Sequence, residues 1–266
     1  MVEEWDTIIR GTEELISFLE EEMIYDDDRL PTDVVLAPMA ALFTFTPSNP
    51  DERGNARRLV KKYMWRSFFT DRYERSTGSR TQEDYRALKE VIVGDGSEGE
   101  VPCFDENEHP LPSIDELKQT RWPNYKDRIA RGLLILSFKG GAKNFGDDQS
   151  ISRRNIDGRE YHHLYPKAYL EENGYDEDDA DTALNCALIN WADNRTIGAK
   201  PPLQYLLERS EAAHLGEDQI RRRLSSHLID YDNLASENYE AFLDNRAEMM
   251  KYSIENLCQG KDYNSN

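Results

Sequence analysis

The chain has 266 residues, of which 38% are hydrophobic and 10% aromatic, so it is long enough to bury a large core and is not composed like a disordered protein. It has no run of about eighteen apolar residues, which argues against a membrane span, and its three separated cysteines include no C-x-x-C pair, which argues against a disulfide framework or a structural zinc knuckle. The formal net charge of -19 argues against a general nucleic-acid coat, and the cysteine usage and acidic start predict a cytoplasmic protein.

The first 150 residues are predicted to form a helical domain. Apolar side chains recur there at helical spacing in four stretches. They predict helices over about 5–23, 34–43, 53–73 and 82–92. The second of these helices is apolar nearly all round and is predicted to be capped by Asp33, and the fourth is predicted to end at Gly94.

The third predicted helix has a basic side, although the chain as a whole is acidic. Arg57, Arg58, Lys61 and Lys62 lie on this side and form a candidate DNA-binding face. The alternative is a solvated helix side whose charges pair with the acidic N-terminal helix inside the molecule. The sequence leaves both interpretations open.

The end of the helical domain is marked by breaker residues. A Gly-, Pro- and acid-rich loop is predicted over 94–112, followed by a capping box of Ser113 and Glu116 and by a helix over 123–138 that opens at a proline. The segment Gly140-Gly141-Ala142-Lys143 ends that helix. Because it lacks the phosphate-loop spacing and follows no predicted strand, no nucleotide cofactor is predicted there.

The pattern changes after residue 150 to short strands and a short helix. Strands are predicted over Arg159–Leu164 and Ala187–Ile189, and a helix over Trp191–Ile197 that stops at Gly198. Further helices are predicted from Pro201 through Leu207, over about 217–229 and over about 237–257. The predicted fold is mainly α, with a helical domain over 1–150, an inserted β-β-α segment over 151–210, and C-terminal helices over 211–266 that pack on the body.

The residues that suggest chemistry lie in the β-β-α segment. His162 and His163 stand side by side at the end of a predicted strand, with Asn185, Asn194 and Arg195 downstream. Neighbouring strand residues point to opposite faces, so both histidines can serve one site only where the strand ends or bends. From the residues alone, a buried structural histidine with a surface neighbour is an alternative, and Asn194 suits a helix cap equally well.

Phosphodiester hydrolysis requires residue types that this segment contains. It needs a base to activate water, a divalent cation to hold the departing oxygen, and positive charge on the phosphate. A histidine whose ordinary pKa is roughly 6.5 suits the first task, and an arginine fork suits the last. Oxygen and imidazole ligands that remain partly hydrated suit Mg²⁺ or Mn²⁺.

Two motifs carry a family resemblance. They are His162-His163-Leu164-Tyr165-Pro166-Lys167 and, after Asn185, Asn194-Arg195-x-Ile197-Gly198-x-Lys200-Pro201-Pro202. Together they resemble the signature of HNH (His-Me finger, ββα-metal) nucleases, in the version found in the C-terminal nuclease module of GmrSD-type and SspE-like modification-dependent restriction enzymes. The resemblance covers about residues 156–207. A weaker likeness lies in Arg66-x-Phe68-Phe69-x-x-Arg72-Tyr73 with Glu83-Asp84, and in Phe242-Leu243-x-x-Arg246.

The resemblance assigns a role to each of these residues. It implies that His163 is the general base, that His162 and Asn194 hold Mg²⁺ or Mn²⁺, and that Asn185 braces the loop and keeps the base oriented. It further implies that Arg195 holds the phosphate and that Lys167 and Lys200 contact DNA.

Two features depart from the family pattern. Many HNH enzymes have an aspartate where this chain has His162, and imidazole is a weaker ligand than carboxylate for a hard cation. The acidic stretch Glu171–Asp181 either points away as a solvated loop or adds a metal-attracting patch.

The implied function is that of a Mg²⁺-dependent DNA endonuclease in a restriction or anti-phage defence system. Its partners would be DNA and a modification-sensing NTP-binding module, either N-terminal or separate, and a double-strand cut would need a homodimer. The alternatives are a non-catalytic interaction module of a defence complex and an RNA nuclease.

The remaining candidates receive structural interpretations. Trp191 and Tyr165 are predicted to belong to the core of the small β-β-α segment rather than to act as base-stacking platforms, and Cys186 is predicted to pack as a small apolar residue. The other histidines, His109, His214 and His227, have no partners at ligand spacing and are predicted to lie on the surface.

Overall fold

The computed structural model describes residues 2–123 and 126–265. Its regular structure is mostly α-helical, as predicted, with one two-stranded antiparallel sheet. The helices are α1 (Val2–Glu21), α2 (Leu36–Phe43), α3 (Pro50–Phe69), α4 (Thr77–Val93), α5 (Ile114–Lys118), α6 (Arg128–Leu136), α7 (Lys167–Glu172), α8 (Trp191–Ile197), α9 (Pro202–Glu211), α10 (Glu217–Ser225), α11 (Tyr231–Ala235) and α12 (Tyr239–Leu257). The strands are β1 (Arg159–His163) and β2 (Cys186–Asn190). Within the described ranges, no helix has the length and apolar character needed to cross a membrane.

The described chain divides into two compact units. The first contains residues 2–24, 30–112 and 252–265, and the second contains residues 25–29 and 113–251 apart from 124–125. The β-β-α segment predicted over 151–210 lies within the second unit.

The first unit is built around α3, which is buried along most of its second half. Asn49 begins this helix by accepting hydrogen bonds from the N–H groups of Asp51 and Glu52, which is why it starts before the predicted residue 53. The fully buried side chains of this helix include Tyr63, Trp65 and Phe68. They supply a large share of the apolar area that stabilises the unit.

A buried ion pair explains one of the sequence motifs. The Arg72 guanidinium donates through Nε and Nη2 to both carboxylate oxygens of Asp84, each at 3.0 Å, and through Nη2 to Glu83 at 2.7 Å. The Tyr73 hydroxyl also donates to Asp84, at 2.7 Å. Because Asp84 is fully buried, these hydrogen bonds are what makes its charge tolerable. In this structure the Arg72-Tyr73 and Glu83-Asp84 motifs tie the segment that follows α3 to α4.

The second unit contains the sheet. The two strands pair antiparallel, with His162 opposite Ala187 and His163 opposite Cys186. The buried Arg246 of α12 donates to the carbonyl oxygen of Leu184 and, at 3.0 Å, to that of Cys186, so the start of β2 is tied to a helix far along the chain. Burial of Cys186 raises the pKa of its thiol, and its packing as an apolar residue is confirmed.

Several elements differ from their predictions. The predicted helix over 123–138 begins only at Arg128, with Asp127 as its cap, while residues 124–125 lie outside the described part. The helix predicted over 217–229 is α10, which ends at Ser225, and the unpredicted helix α11 follows it. Short 3-10 turns lie within the predicted loop over 94–112. The cap predicted at Asp33 is wrong, since Val35 precedes α2 without a side-chain hydrogen bond.

Two histidines expected on the surface are buried. His227 is fully buried with Nε2 2.7 Å from the carbonyl oxygen of Lys143, and His109 is 5% exposed with Nδ1 2.7 Å from Asp71. The sequence shows no partner for either histidine because both partners are remote along the chain. His214 is exposed, as predicted.

Burial of His227 should make the protein sensitive to mild acid. Burial lowers the pKa of its imidazole to about 3, below the ordinary value of 6.5. Above pH 6.5 His227 is neutral in both the folded and the unfolded chain, so the full stability of the protein is present. As pH falls from 6.5 toward the folded-state pKa, only the unfolded chain takes up the proton, and the free energy of unfolding decreases. From about pH 6.5 to about pH 5 this one group should cost about 2 kcal/mol.

Urea unfolding of the wild type and of His227→Gln measures this effect. Glutamine keeps a donor for the Lys143 carbonyl but does not titrate. The wild-type midpoint should fall more steeply with pH than that of the variant, and parallel curves would contradict the assignment.

Candidate functional site

The strand–strand–helix order brings the candidate residues together within the second unit. The two histidines end β1, and α8 begins immediately after β2, with Asn190 as its cap accepting a hydrogen bond from the N–H of Asp193. This tight connection turns α8 back toward β1. As a result, Asn194 of α8 reaches the side chain of His162.

His162, Asn194 and Glu160 form a chain of side-chain contacts. His162 Nδ1 lies 2.8 Å from Asn194 Oδ1, and Asn194 Nδ2 donates to Glu160 Oε2 at 2.7 Å. Glu160 and His162 are two residues apart on β1 and so share one face of the strand. Because a carboxylate only accepts hydrogen bonds, Glu160 fixes which way the carboxamide faces and directs its oxygen toward the imidazole.

His162 is neutral at physiological pH. The residue is 3% exposed, and burial lowers the pKa of its imidazole to about 4. Its Nε2 atom is buried and has no hydrogen-bond partner among the described residues. A neutral imidazole is the form that binds metal ions.

His163 has a different set of partners. Its ring stacks on Trp122, with centroids 3.9 Å apart, and its Nε2 lies 2.9 Å from Asp181 Oδ1. Lys167 Nζ donates to the other oxygen of Asp181 at 2.7 Å. Burial lowers the pKa of His163, against the opposing effect of its hydrogen bond to Asp181. Burial by itself would raise the pKa of Asp181. The hydrogen bonds from Lys167 and His163 have the larger combined effect, so the pKa of Asp181 is lowered.

Asn185 is fully buried and holds backbone rather than facing open space. Its Oδ1 accepts from the N–H of Tyr165 at 2.8 Å, and its Nδ2 donates to the carbonyl oxygens of Tyr165 and Ala180, both at 3.0 Å. These three bonds fix the chain just after β1 to the segment that carries Asp181.

Both histidines reach one opening even though they are neighbours on a strand. A cavity of about 340 Å³ is lined by His162, His163, Lys167 and Asn194, among others. The two side chains can share it because β1 ends at His163.

The neighbouring Tyr165 is fully buried, as predicted for the core, whereas the prediction for Trp191 is wrong, since this side chain is 54% exposed.

The cations predicted to contact DNA differ in their partners. Arg57 pairs with Glu14 and Glu21 of the N-terminal helix, as the alternative interpretation proposed. Arg58 and Lys62 pair instead with Glu98, and Lys61 pairs with Glu22 and Asp262. Lys167 pairs with Asp181 and Lys200 with Glu208. Arg195 has no carboxylate partner among the described residues, and its guanidinium lies 4.8 Å from the centroid of the Trp191 ring.

The donor atoms at this cavity fit a partly hydrated divalent cation. The described residues contain no group of three or more His, Cys, Asp or Glu side chains that could hold a metal ion, so a metal here depends on the Asn194 carboxamide. In the structure Asn194 Oδ1 accepts a hydrogen bond from His162 Nδ1–H at 2.8 Å, so a cation held by these two atoms would require the tautomer of His162 that carries its proton on Nε2. Water and substrate oxygens would complete such a site.

Sequence reasoning missed three residues of the site. Glu160 could have been found, because it lies two positions before His162 on a predicted strand and so on the same face. Asp181 was included only in an acidic stretch, and no signal singles it out from its neighbours. Trp122 comes from a remote part of the chain, next to an isolated bridge between Arg121 and Thr182 that only the folded structure shows.

Comparison with known proteins adds one distant relative. No protein-family model matches the chain. The chain is similar to the uncharacterized protein MJ0686 of Methanocaldococcus jannaschii, with 27% identity over 182 residues. The match covers 64% of this chain and 30% of that protein, so the chain matches less than a third of its relative's length.

Proposed function

We propose that the chain is a divalent-metal-dependent DNA endonuclease whose β1–β2–α8 segment acts as a His-Me finger. The observation that carries this proposal is the convergence of three side chains on one cavity. The side chains of His162 and Asn194 are hydrogen-bonded to each other at 2.8 Å, and both line the same opening as His163. A base beside a cation site is the arrangement that phosphodiester hydrolysis requires.

His163 is the general base in this proposal. Asp181 is ionised, since its pKa is lowered, and therefore only accepts hydrogen bonds. It holds the proton of His163 on Nε2, which leaves the lone pair of Nδ1 free to take a proton from water. Stacking on Trp122 keeps the ring in place while this proton moves.

His162 and Asn194 would hold Mg²⁺ or Mn²⁺. Such an ion, when bound, supplies the positive charge that stabilises the departing 3′-oxygen of the cleaved strand. Glu160 keeps the Asn194 oxygen directed toward His162 and adds negative charge nearby, which partly offsets the weaker imidazole ligand.

Arg195 is the cation best placed to hold the phosphate. It carries no internal ion pair among the described residues, and it follows Asn194 directly on α8. Lys167 and Lys200 are paired with Asp181 and Glu208, so phosphate contact by either lysine requires exchange of these partners.

The biological setting belongs to the same proposal. A cytoplasmic restriction or anti-phage nuclease of this kind would act with a modification-sensing, NTP-binding module. One finger cuts one strand, so a double-strand break would need two copies of the chain.

Conversion of supercoiled plasmid to nicked or linear DNA tests the proposed function. We expect cleavage with Mg²⁺ or Mn²⁺ and none with EDTA. Asn194→Ala should reduce the rate about 10- to 100-fold at limiting metal, with partial recovery at higher metal concentration, because one ligand is lost. Asn173→Ala, which changes an exposed asparagine of α7's C-terminal cap, serves as the matched control and should cut normally.

The outcomes separate the candidate functions. Absence of cleavage with every divalent ion would support the non-catalytic interaction module. Cleavage of RNA but not of DNA in the same assay would show that the chain is an RNA nuclease. Equal metal dependence of Asn194→Ala and the wild type would remove Asn194 from the metal site.

A further inference from the structure

An exposed aromatic–cation pair lies on α8, the helix whose Asn194 lines the cavity. Trp191 is 54% exposed, and the Arg195 guanidinium lies over its ring, 4.8 Å from the centroid. The two residues are four positions apart on α8 and so face the same side of the helix. The exposed indole offers an aromatic face on which a planar group can stack.

The charge of this pair is also unusual for this chain. Six of the seven cations predicted to contact DNA or its phosphate are paired with carboxylates, whereas Arg195 has no such partner among the described residues. In a chain with a formal net charge of -19, an exposed and unneutralised guanidinium favours an anionic ligand.

The pair lies within one helical turn of a candidate metal ligand. Asn194 is three positions after Trp191 and immediately before Arg195. Residues three apart on a helix have Cβ atoms about 5–6 Å apart, which is comparable with the spacing of neighbouring nucleotides in an extended strand. A nucleotide adjacent to one bound at the cavity can therefore reach the indole.

We propose that Trp191 and Arg195 form a stacking site for an unpaired nucleotide next to the cleaved phosphate. The indole stacks on the base, and the guanidinium neutralises a backbone phosphate or extends the stack. A nucleobase exposes its face only when it is not stacked within a duplex, so this site selects single-stranded or locally unpaired nucleic acid. The inference rests on the proposed nuclease function and names the form of nucleic acid that it would take.

Binding without cleavage tests the site. Fluorescence anisotropy in EDTA measures the affinity of the full chain for a labelled single strand of about ten nucleotides and for the matching duplex. We expect tighter binding of the single strand. Trp191→Ala should weaken that binding roughly tenfold to hundredfold, while Trp191→Phe should retain most of it. Trp5→Ala, which removes an indole that is 63% exposed on α1, is the matched control and should bind as the wild type does.

Salt dependence gives a second readout that a merely structural role would not change. Arg195→Gln should lower the slope of log affinity against log salt by about 0.7, the value for one phosphate contact with a single strand. Unchanged binding by Trp191→Ala, or failure of the wild type to bind either nucleic acid, would overturn the inference.

The two proposals can fail separately. Loss of single-strand binding in Trp191→Ala, together with no metal-dependent cleavage by the wild type, supports the stacking site and rejects the nuclease. Metal-dependent cleavage with unchanged binding by Trp191→Ala supports the nuclease and rejects the stacking site.

Discussion

Replacing His163 by alanine should reduce metal-dependent plasmid cleavage about 10²- to 10⁴-fold, the usual contribution of a general base. The variant loses the nitrogen that takes the proton from water and leaves Asp181 with Lys167 as its remaining side-chain partner. It should still bind the metal ion, because His162 and Asn194 are unchanged. The measurement is the initial rate of nicking at saturating Mg²⁺ or Mn²⁺.

The control for this prediction separates chemistry from folding. His214→Ala changes an exposed histidine of the same unit and should leave the rate unchanged. Loss of the stacking between His163 and Trp122 will lower the melting temperature somewhat, so rates are compared well below the melting transition of both variants. A folded His163→Ala protein that cuts at the wild-type rate would remove the proposed mechanism.

The elements around the site could be predicted because their signals are local. β1 and α8 match their predicted ranges within one residue, and the capping box of Ser113 and Glu116 is present. Such features depend on residues a few positions apart, where alternation, capping and a terminal glycine act directly on the backbone. The β-β-α order therefore follows from short-range chemistry.

The surroundings of the histidines could not be predicted, because they depend on distant parts of the chain. His163 stacks on Trp122, 41 positions earlier, and bonds Asp181, 18 positions later. Nothing in an acidic run marks the one aspartate that turns inward. The same limit explains why His227 and His109 were expected on the surface, and why the pairing of Arg57 with Glu14 and Glu21 remained one of two alternatives.

Trp191 was predicted to be buried but is exposed, which is the reverse of the error made for His227 and His109. A tryptophan at the start of a short helix is expected to pack inward, because burial of its large apolar surface is favourable. Here Asn190 caps α8 and Asn194 faces His162, so the rotation of the helix is fixed by polar contacts and the indole is left outside. Polar geometry at the site thus overrides the hydrophobic preference of its neighbour.

Replacing Asn185 by alanine should lower the free energy of unfolding by roughly 3–5 kcal/mol, because three buried backbone groups lose their partners. These groups are the N–H and carbonyl of Tyr165 and the carbonyl of Ala180. Asn185→Asp should be about as harmful despite its matching shape, because a carboxylate oxygen would face two carbonyl oxygens. Urea unfolding at neutral pH measures all three proteins, with Asn173→Ala as a surface control expected to change stability by less than about 0.5 kcal/mol.

The alanine substitution also distinguishes a structural role of Asn185, in which it holds the backbone in place, from direct participation in the reaction. Asn185 ties the end of β1 to the segment before Asp181, so its loss should disturb the Asp181–His163 contact and reduce cleavage in step with stability. The fraction of cleavage that remains should recover when the folded state is restored by lower temperature or a stabilising osmolyte. A variant that unfolds like the wild type but fails to cut would show instead that Asn185 acts on the substrate, and the structural role inferred from its three buried hydrogen bonds would be wrong.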